Sequence, residues 1–105
     1  MESNKIQEMQ MLEQGLHSVL VQKQAFQMEL SETQSALKEI ESSSDEVFKI
    51  VGQLMIKSEK SKISRDLKNK EKLLDVRLKT LEKQESNMVE KLGSLREELT
   101  KEMKK

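Results

Sequence analysis

Apolar residues recur along the first forty positions in alternating steps of three and four. The series is Met9, Leu12, Leu16, Val19, Lys23, Phe26, Leu30, Thr33, Leu37, Ile40, and eight of its ten members are apolar. That spacing is a heptad seam held for more than four heptads, and it predicts a helix over about residues 5–41. Lys23 and Thr33 interrupt the seam. Lys23 is expected to lay its methylenes along it and keep its ammonium in water. Ile6, Met11, Leu20 and Val21 fall off the strict stripe and widen the apolar face near the N-terminus.

The period then changes. Ser42, Ser43, Ser44, Asp45 and Glu46 form a small polar patch that ends the helix by competing for backbone hydrogen bonds. Val47-Phe48-Lys49-Ile50-Val51 is β-branched and aromatic, and Leu54-Met55-Ile56-Lys57 follows after Gly52 and Gln53. Two short apolar runs around a glycine predict a β-hairpin over about residues 46–58. Val51-Gly52 leaves the turn type open. Alternation puts Phe48 and Ile50 on one face of the first strand, and Val47, Lys49 and Val51 on the other. Both faces are therefore largely apolar.

A second helix is predicted over about residues 59–103, with Ser58 as its N-cap and Glu59 favourable at the positive end of its dipole. Its stripe is Leu67, Glu71, Leu74, Leu78, Leu81, Glu85, Met88, Leu92, Leu95, Leu99. Lys101, Lys104 and Lys105 sit at its negative end. The resulting expectation is a mainly α chain: a long antiparallel two-helix coiled coil with one β-hairpin at the turn. About 36 residues per helix at ~1.5 Å rise gives an arm of roughly 50–60 Å. The polar interruptions Lys23, Thr33, Glu71 and Glu85 leave the register between the helices open.

Composition supports rods over a globule. Only 34% of the 105 residues are apolar and 36% are charged, with no proline and three glycines. A compact domain normally holds more apolar residues, whereas paired rods need only a narrow stripe. The net charge is zero, which gives no general attraction to nucleic acid or anionic membrane. The distribution is uneven: residues 1–41 hold three basic and seven acidic side chains, and residues 60–105 hold fourteen and nine. An acidic first helix and a basic second one suit pairing with each other.

The hairpin stretch Val47-Phe48-Lys49-Ile50-Val51-Gly52 and Leu54-Met55-Ile56-Lys57, set between two heptad helices, resembles the prefoldin β-class subunits. Val21-Gln22-Lys23-Gln24 and Leu81-Glu82-Lys83-Gln84-Glu85 are also similar to that family, and the likeness covers the whole chain as one prefoldin-type domain, residues 1–105. One hairpin, not two, resembles the β class and not the α class. The resemblance implies a hexamer of two α-class and four β-class subunits whose hairpins join into a β-barrel platform. It also implies helical arms whose ends hold unfolded proteins without ATP and pass them to a group II chaperonin. A short, tail-free form fits archaeal members, with eukaryotic relatives still open.

Two surfaces are the candidates. Val47, Phe48, Ile50, Val51, Leu54, Met55 and Ile56 would form the assembly surface, because two narrow helices cannot cover both faces of a strand pair and its edges invite further strands. The competing reading is a small local core capping the helices. Ile6, Met9, Met11, Leu12, Leu16, Leu92, Leu95, Leu99 and Met103 would form the client surface, where methionine adapts to varied apolar side chains. Of these, Met9, Leu12, Leu95 and Leu99 are expected to rest in the seam, and Ile6, Met11 and Met103 to stay exposed. The rival function is a static coiled-coil adaptor that oligomerises through its hairpin and binds one defined partner.

No enzyme is expected. His17 is the sole histidine and there is no cysteine, so neither a metal set nor a nucleophile–base pair assembles around it. Gly15, Gly52 and Gly93 are isolated and form no phosphate loop. No cofactor, metal, nucleic acid or membrane partner is expected. Without a signal-like or membrane-spanning apolar run, the expected location is cytoplasmic.

Overall fold

A computed structural model describes residues 2–43 and 46–103. The elements are α1 (Glu2–Ser42), β1 (Glu46–Val51), β2 (Leu54–Glu59) and α2 (Lys60–Met103). Met1, the Ser44-Asp45 part of the turn patch, and Lys104 and Lys105 lie outside the described residues. The chain divides into two compact units. One joins Met1–Ala25 to Leu78–Lys105, and the other is Phe26–Arg77.

In the first unit the two helix segments run antiparallel. Lys23 Nζ lies 3.0 Å from Glu85, Arg96 lies 3.6 Å from Glu13, and Lys5 reaches both Glu98 and Glu102. Val19, Leu78, Leu81, Leu92 and Leu95 are buried, and all five belong to the heptad stripes read from the sequence. Lys23 does not send its ammonium to water. It pairs with Glu85, so two polar interruptions of the stripes meet each other, and this fixes the register of the unit.

In the second unit, Thr33, Leu37, Val47 and Leu74 are buried. Thr33 fits among apolar neighbours because its hydroxyl donates to the Glu29 carbonyl at 2.8 Å, one turn back. Lys70 pairs with Glu29 at 3.2 Å, and the Arg77 guanidinium stacks over the Phe26 ring at 5.6 Å. The Glu13–Arg96 and Glu29–Lys70 pairs follow the polarity expected from an acidic first and basic second helix; the pairs made by Lys5 and Lys23 reverse it.

Serines close α1. The Ser42 hydroxyl donates to the Lys38 and Glu39 carbonyls, and both the hydroxyl and amide of Ser43 donate to the Ile40 carbonyl. The bonds to Glu39 and Ile40 satisfy carbonyls of the last turn, which the helix itself leaves without partners. Lys60 Nζ in turn donates to the Ser43 carbonyl at 3.0 Å.

β1 and β2 pair antiparallel from Glu46↔Glu59 to Val51↔Leu54. Ser58 therefore does not cap α2. It is opposite Val47 in the ladder, and its hydroxyl donates to the Ile56 carbonyl at 3.3 Å. The strand outcompetes the cap because its ladder continues to Glu59, leaving α2 to begin at Lys60. Glu46 and Glu59 are like charges set opposite each other, and Lys57, diagonal to Glu46, lies 3.7 Å from it.

The two-residue loop is Gly52-Gln53. Gly52 has φ +62°, and no described residue other than glycine has positive φ. Positive φ at the first central position alone is the signature of a type II′ turn, whose twist suits a hairpin. Gly52→Val is expected to lower hairpin stability by about 1–2 kcal/mol through left-handed backbone strain, because the site is otherwise open space. Thermal unfolding of the purified chain checks this; an unchanged midpoint would show that the turn does not depend on that conformation.

Candidate functional site

Two surfaces stand out, one in each unit. On the hairpin, cross-strand pairing places Phe48, Ile50, Met55 and Lys57 on one face, with Val47, Lys49, Val51, Leu54, Ile56 and Ser58 on the other. Six of the seven apolar residues expected there are exposed, with Ile50 at 69% and Met55 at 67%. Val47 is the exception. At 9% exposure it belongs to the local core of its unit. The hairpin thus displays apolar side chains on both faces and has two strand edges, since among the described residues its sheet contains only β1 and β2. A surface of this kind is costly in water and is covered in stable assemblies.

The second surface lies where the first unit holds the beginning of α1 and the end of α2. Met11 and Met103 are 72% and 79% exposed, and Ile6 is also exposed. Met9, Leu12, Leu16 and Leu99 are half-buried, while Leu92 and Leu95 are buried in the seam. Periodicity alone had not singled out Val89. It is exposed, as is Leu20. Each lies seven residues from a member of the Glu13–Arg96 pair, which sets both on that flank of the unit. The available clue was this heptad spacing from an ion pair whose partners only the structure reveals.

Lys5 ties the helix ends together through Glu98 at 3.4 Å and through Glu102. The hydrogen bond to Glu102 raises the Lys5 pKa above the ordinary value of 10.5, and the charges of Glu102 and Glu98 add to it against partial desolvation. A raised lysine pKa stabilises the fold fully below 10.5 and ceases to do so as pH rises through the raised value. Lys5→Gln is therefore expected to lower the melting temperature slightly at pH 8, with the difference from wild type shrinking above pH 10.5. A constant difference across that range would mean the ion pairs contribute nothing.

His17 is exposed and borders a shallow depression with Gln10, Glu13 and Gln14. Another open depression is lined in part by Gln34, Lys38, Glu41, Lys68 and Lys72. Among the described residues there is no group of three or more histidine, cysteine or carboxylate side chains placed to hold a metal. No helix is long and apolar enough to cross a membrane among the described residues. What the two surfaces offer is apolar contact area.

Known proteins share this arrangement. A family model described as "Prefoldin subunit" matches residues 3–105. The prefoldin subunit beta of Thermococcus kodakarensis is 47% identical over 85 residues, covering 79% of this chain and 73% of that one. That of Pyrobaculum calidifontis is 40% identical over 92 residues, covering 86% and 74%. The crystal structure of the prefoldin beta subunit from Thermococcus strain KS-1 superposes with a TM-score of 0.88 at 39% identity, covering 95% of this chain and 90% of that one.

Proposed function

The chain belongs to the prefoldin subunit family, in its β class, and from that premise we propose that it is a non-enzymatic subunit of an ATP-independent holdase. It acts in the cytoplasm as a single prefoldin-type domain, without cofactor, in a hexamer of two α-class and four β-class subunits. Assembly runs through Phe48, Ile50, Val51, Leu54, Met55 and Ile56, with Val47 supporting the hairpin from beneath. Unfolded proteins bind at Ile6, Met11 and Met103, joined by the seam residues Met9, Leu12, Leu16, Leu92, Leu95 and Leu99 as they become accessible. The client then passes to a group II chaperonin.

The exposed apolar hairpin carries this reading. Six large apolar side chains on a two-stranded sheet have no function in an isolated chain and a direct one in a shared β platform. The family premise supplies the platform. Methionines exposed on the other unit suit a client surface, because an unbranched, polarizable side chain adapts to many apolar partners.

Light scattering from a chemically denatured, aggregation-prone protein tests the function. The assembled complex is expected to suppress aggregation without nucleotide at a few-fold molar excess. Confirmed assembly with no suppression would reject the holdase reading in favour of a static adaptor built on the same hairpin.

A further inference from the structure

Within the second unit, the residues of α2 that face away from the seam form a stripe of their own. Lys62, Arg65, Asn69, Lys72 and Val76 follow one another in steps of three and four, on the side opposite Leu67, Glu71 and Leu74. All five are exposed. Leu73, one turn from both Asn69 and Val76, is exposed beside them, and more than half of each apolar side chain meets water. The stripe carries three cations and no carboxylate. Asp66 borders it on one side and Lys68 on the other.

The basic residues nearer the seam are engaged inside the unit. Lys70 pairs with Glu29, and Arg77 stacks over Phe26. Among the described residues, Lys62, Arg65 and Lys72 make no ion pair. Toward α1, Lys72 borders the open depression that also holds Lys38 and Lys68, three lysines against Glu41 and Glu71. The positive charge of the stripe therefore continues into the neighbouring groove.

Charge sets the chemistry of what would cover this face. A second copy of the chain offers no complement through the outward stripe of α1, because Met28, Ser31, Ser35, Lys38 and Ser42 include no carboxylate. A nucleic-acid backbone would satisfy the cations but gain nothing from Leu73 and Val76, and the stripe has no aromatic side chain on which a base could stack. An acidic segment with an apolar centre satisfies both parts. We propose that the stripe docks an acidic amphipathic segment of another protein. Its carboxylates meet Lys62, Arg65 and Lys72, and its apolar side chains cover Leu73 and Val76. From residue 62 to residue 76, fourteen steps of ~1.5 Å give a stripe of roughly 20 Å, the length of a four-turn helix. The site is separate from the hairpin and from the client surface, and it does not depend on the holdase reading.

Fluorescence anisotropy on the assembled full-length protein tests the site. The probe is a labelled four-turn peptide with leucine at every third or fourth position and glutamate on its flanks. It is expected to bind, and to bind more weakly as salt rises. Arg65→Glu/Lys72→Glu is expected to weaken binding at least about tenfold through like-charge repulsion. Leu73→Ser/Val76→Ser is expected to weaken it about fivefold to tenfold, with the salt dependence retained. All four residues are exposed, so circular dichroism is expected to show unchanged helicity in both variants. Suppression of client aggregation by both is expected to stay at the wild-type level. No binding of the peptide, or equal binding by Arg65→Glu/Lys72→Glu, overturns the site. Equal binding of a peptide with serine in place of leucine overturns the amphipathic partner. Duplex DNA that binds more tightly than the peptide, and is lost in the same charge-reversal variant, would assign the stripe to nucleic acid instead. Suppression lost together with peptide binding would merge the stripe with the client surface and overturn its separate role.

Discussion

Replacing Ile50 or Met55 with glutamate is expected to dissociate the assembled protein into chains that remain folded. Both side chains are about two-thirds exposed in the single chain, and they face each other across the hairpin. A carboxylate there meets water in the monomer, so the change in monomer stability stays within about 0.5 kcal/mol. In a shared β platform the same carboxylate would be buried without a partner, at a cost of about 2–5 kcal/mol per copy. That corresponds to roughly a thirtyfold to several-thousandfold loss of affinity at each contact. Sedimentation velocity at fixed protein concentration, with circular dichroism to confirm helicity, reads the result. An unchanged oligomer would place assembly elsewhere on the chain.

The pair Lys23–Glu85 should produce the second large effect. Both side chains hold seam positions, are 22–23% exposed, and meet at 3.0 Å. Removing one partner leaves the other charge partly buried and unpaired. Glu85→Leu is expected to cost about 1–3 kcal/mol, below the range for fully buried pairs because water still reaches the site. The double variant Lys23→Leu/Glu85→Leu replaces the pair with apolar contact in an otherwise apolar seam. It is expected to melt several degrees above wild type, since buried ion pairs often yield to hydrophobic replacements of similar volume. A melting temperature that rises with Glu85→Leu alone would show that Lys23 does not depend on its partner. The double variant should also lose a polar match inside the seam that favours the native register over a slipped one.

That pair marks the limit of what the sequence makes legible. The three-four periodicity identifies the stripes, and Val19, Leu37, Leu74, Leu78, Leu81, Leu92 and Leu95 are all buried on them. Periodicity gives a position on a helix face but not its partner across the seam, so the meeting of Lys23 with Glu85 appears only in the structure. The hairpin was legible because Val47-Phe48-Lys49-Ile50-Val51 breaks the helical period with β-branched residues. Its end was not. Ser58 has the chemistry of a helix cap, but its place opposite Val47 in the ladder decides its conformation. Local preference yields there to cross-strand pairing. Exposure of Ile6, Met11 and Met103 follows from their place off the seam, whereas exposure of Val89 depends on the register.

Assembly belongs to the hairpin in the middle of the sequence, and client binding to the beginning of α1 and the end of α2. Removing residues 1–10 and 96–105 separates them most directly. The trimmed chain, mixed with an α-class partner, is expected to form the same oligomer as the full chain and to lose suppression of client aggregation in light scattering. Loss of the oligomer on trimming, or full suppression by the trimmed complex, would contradict that division.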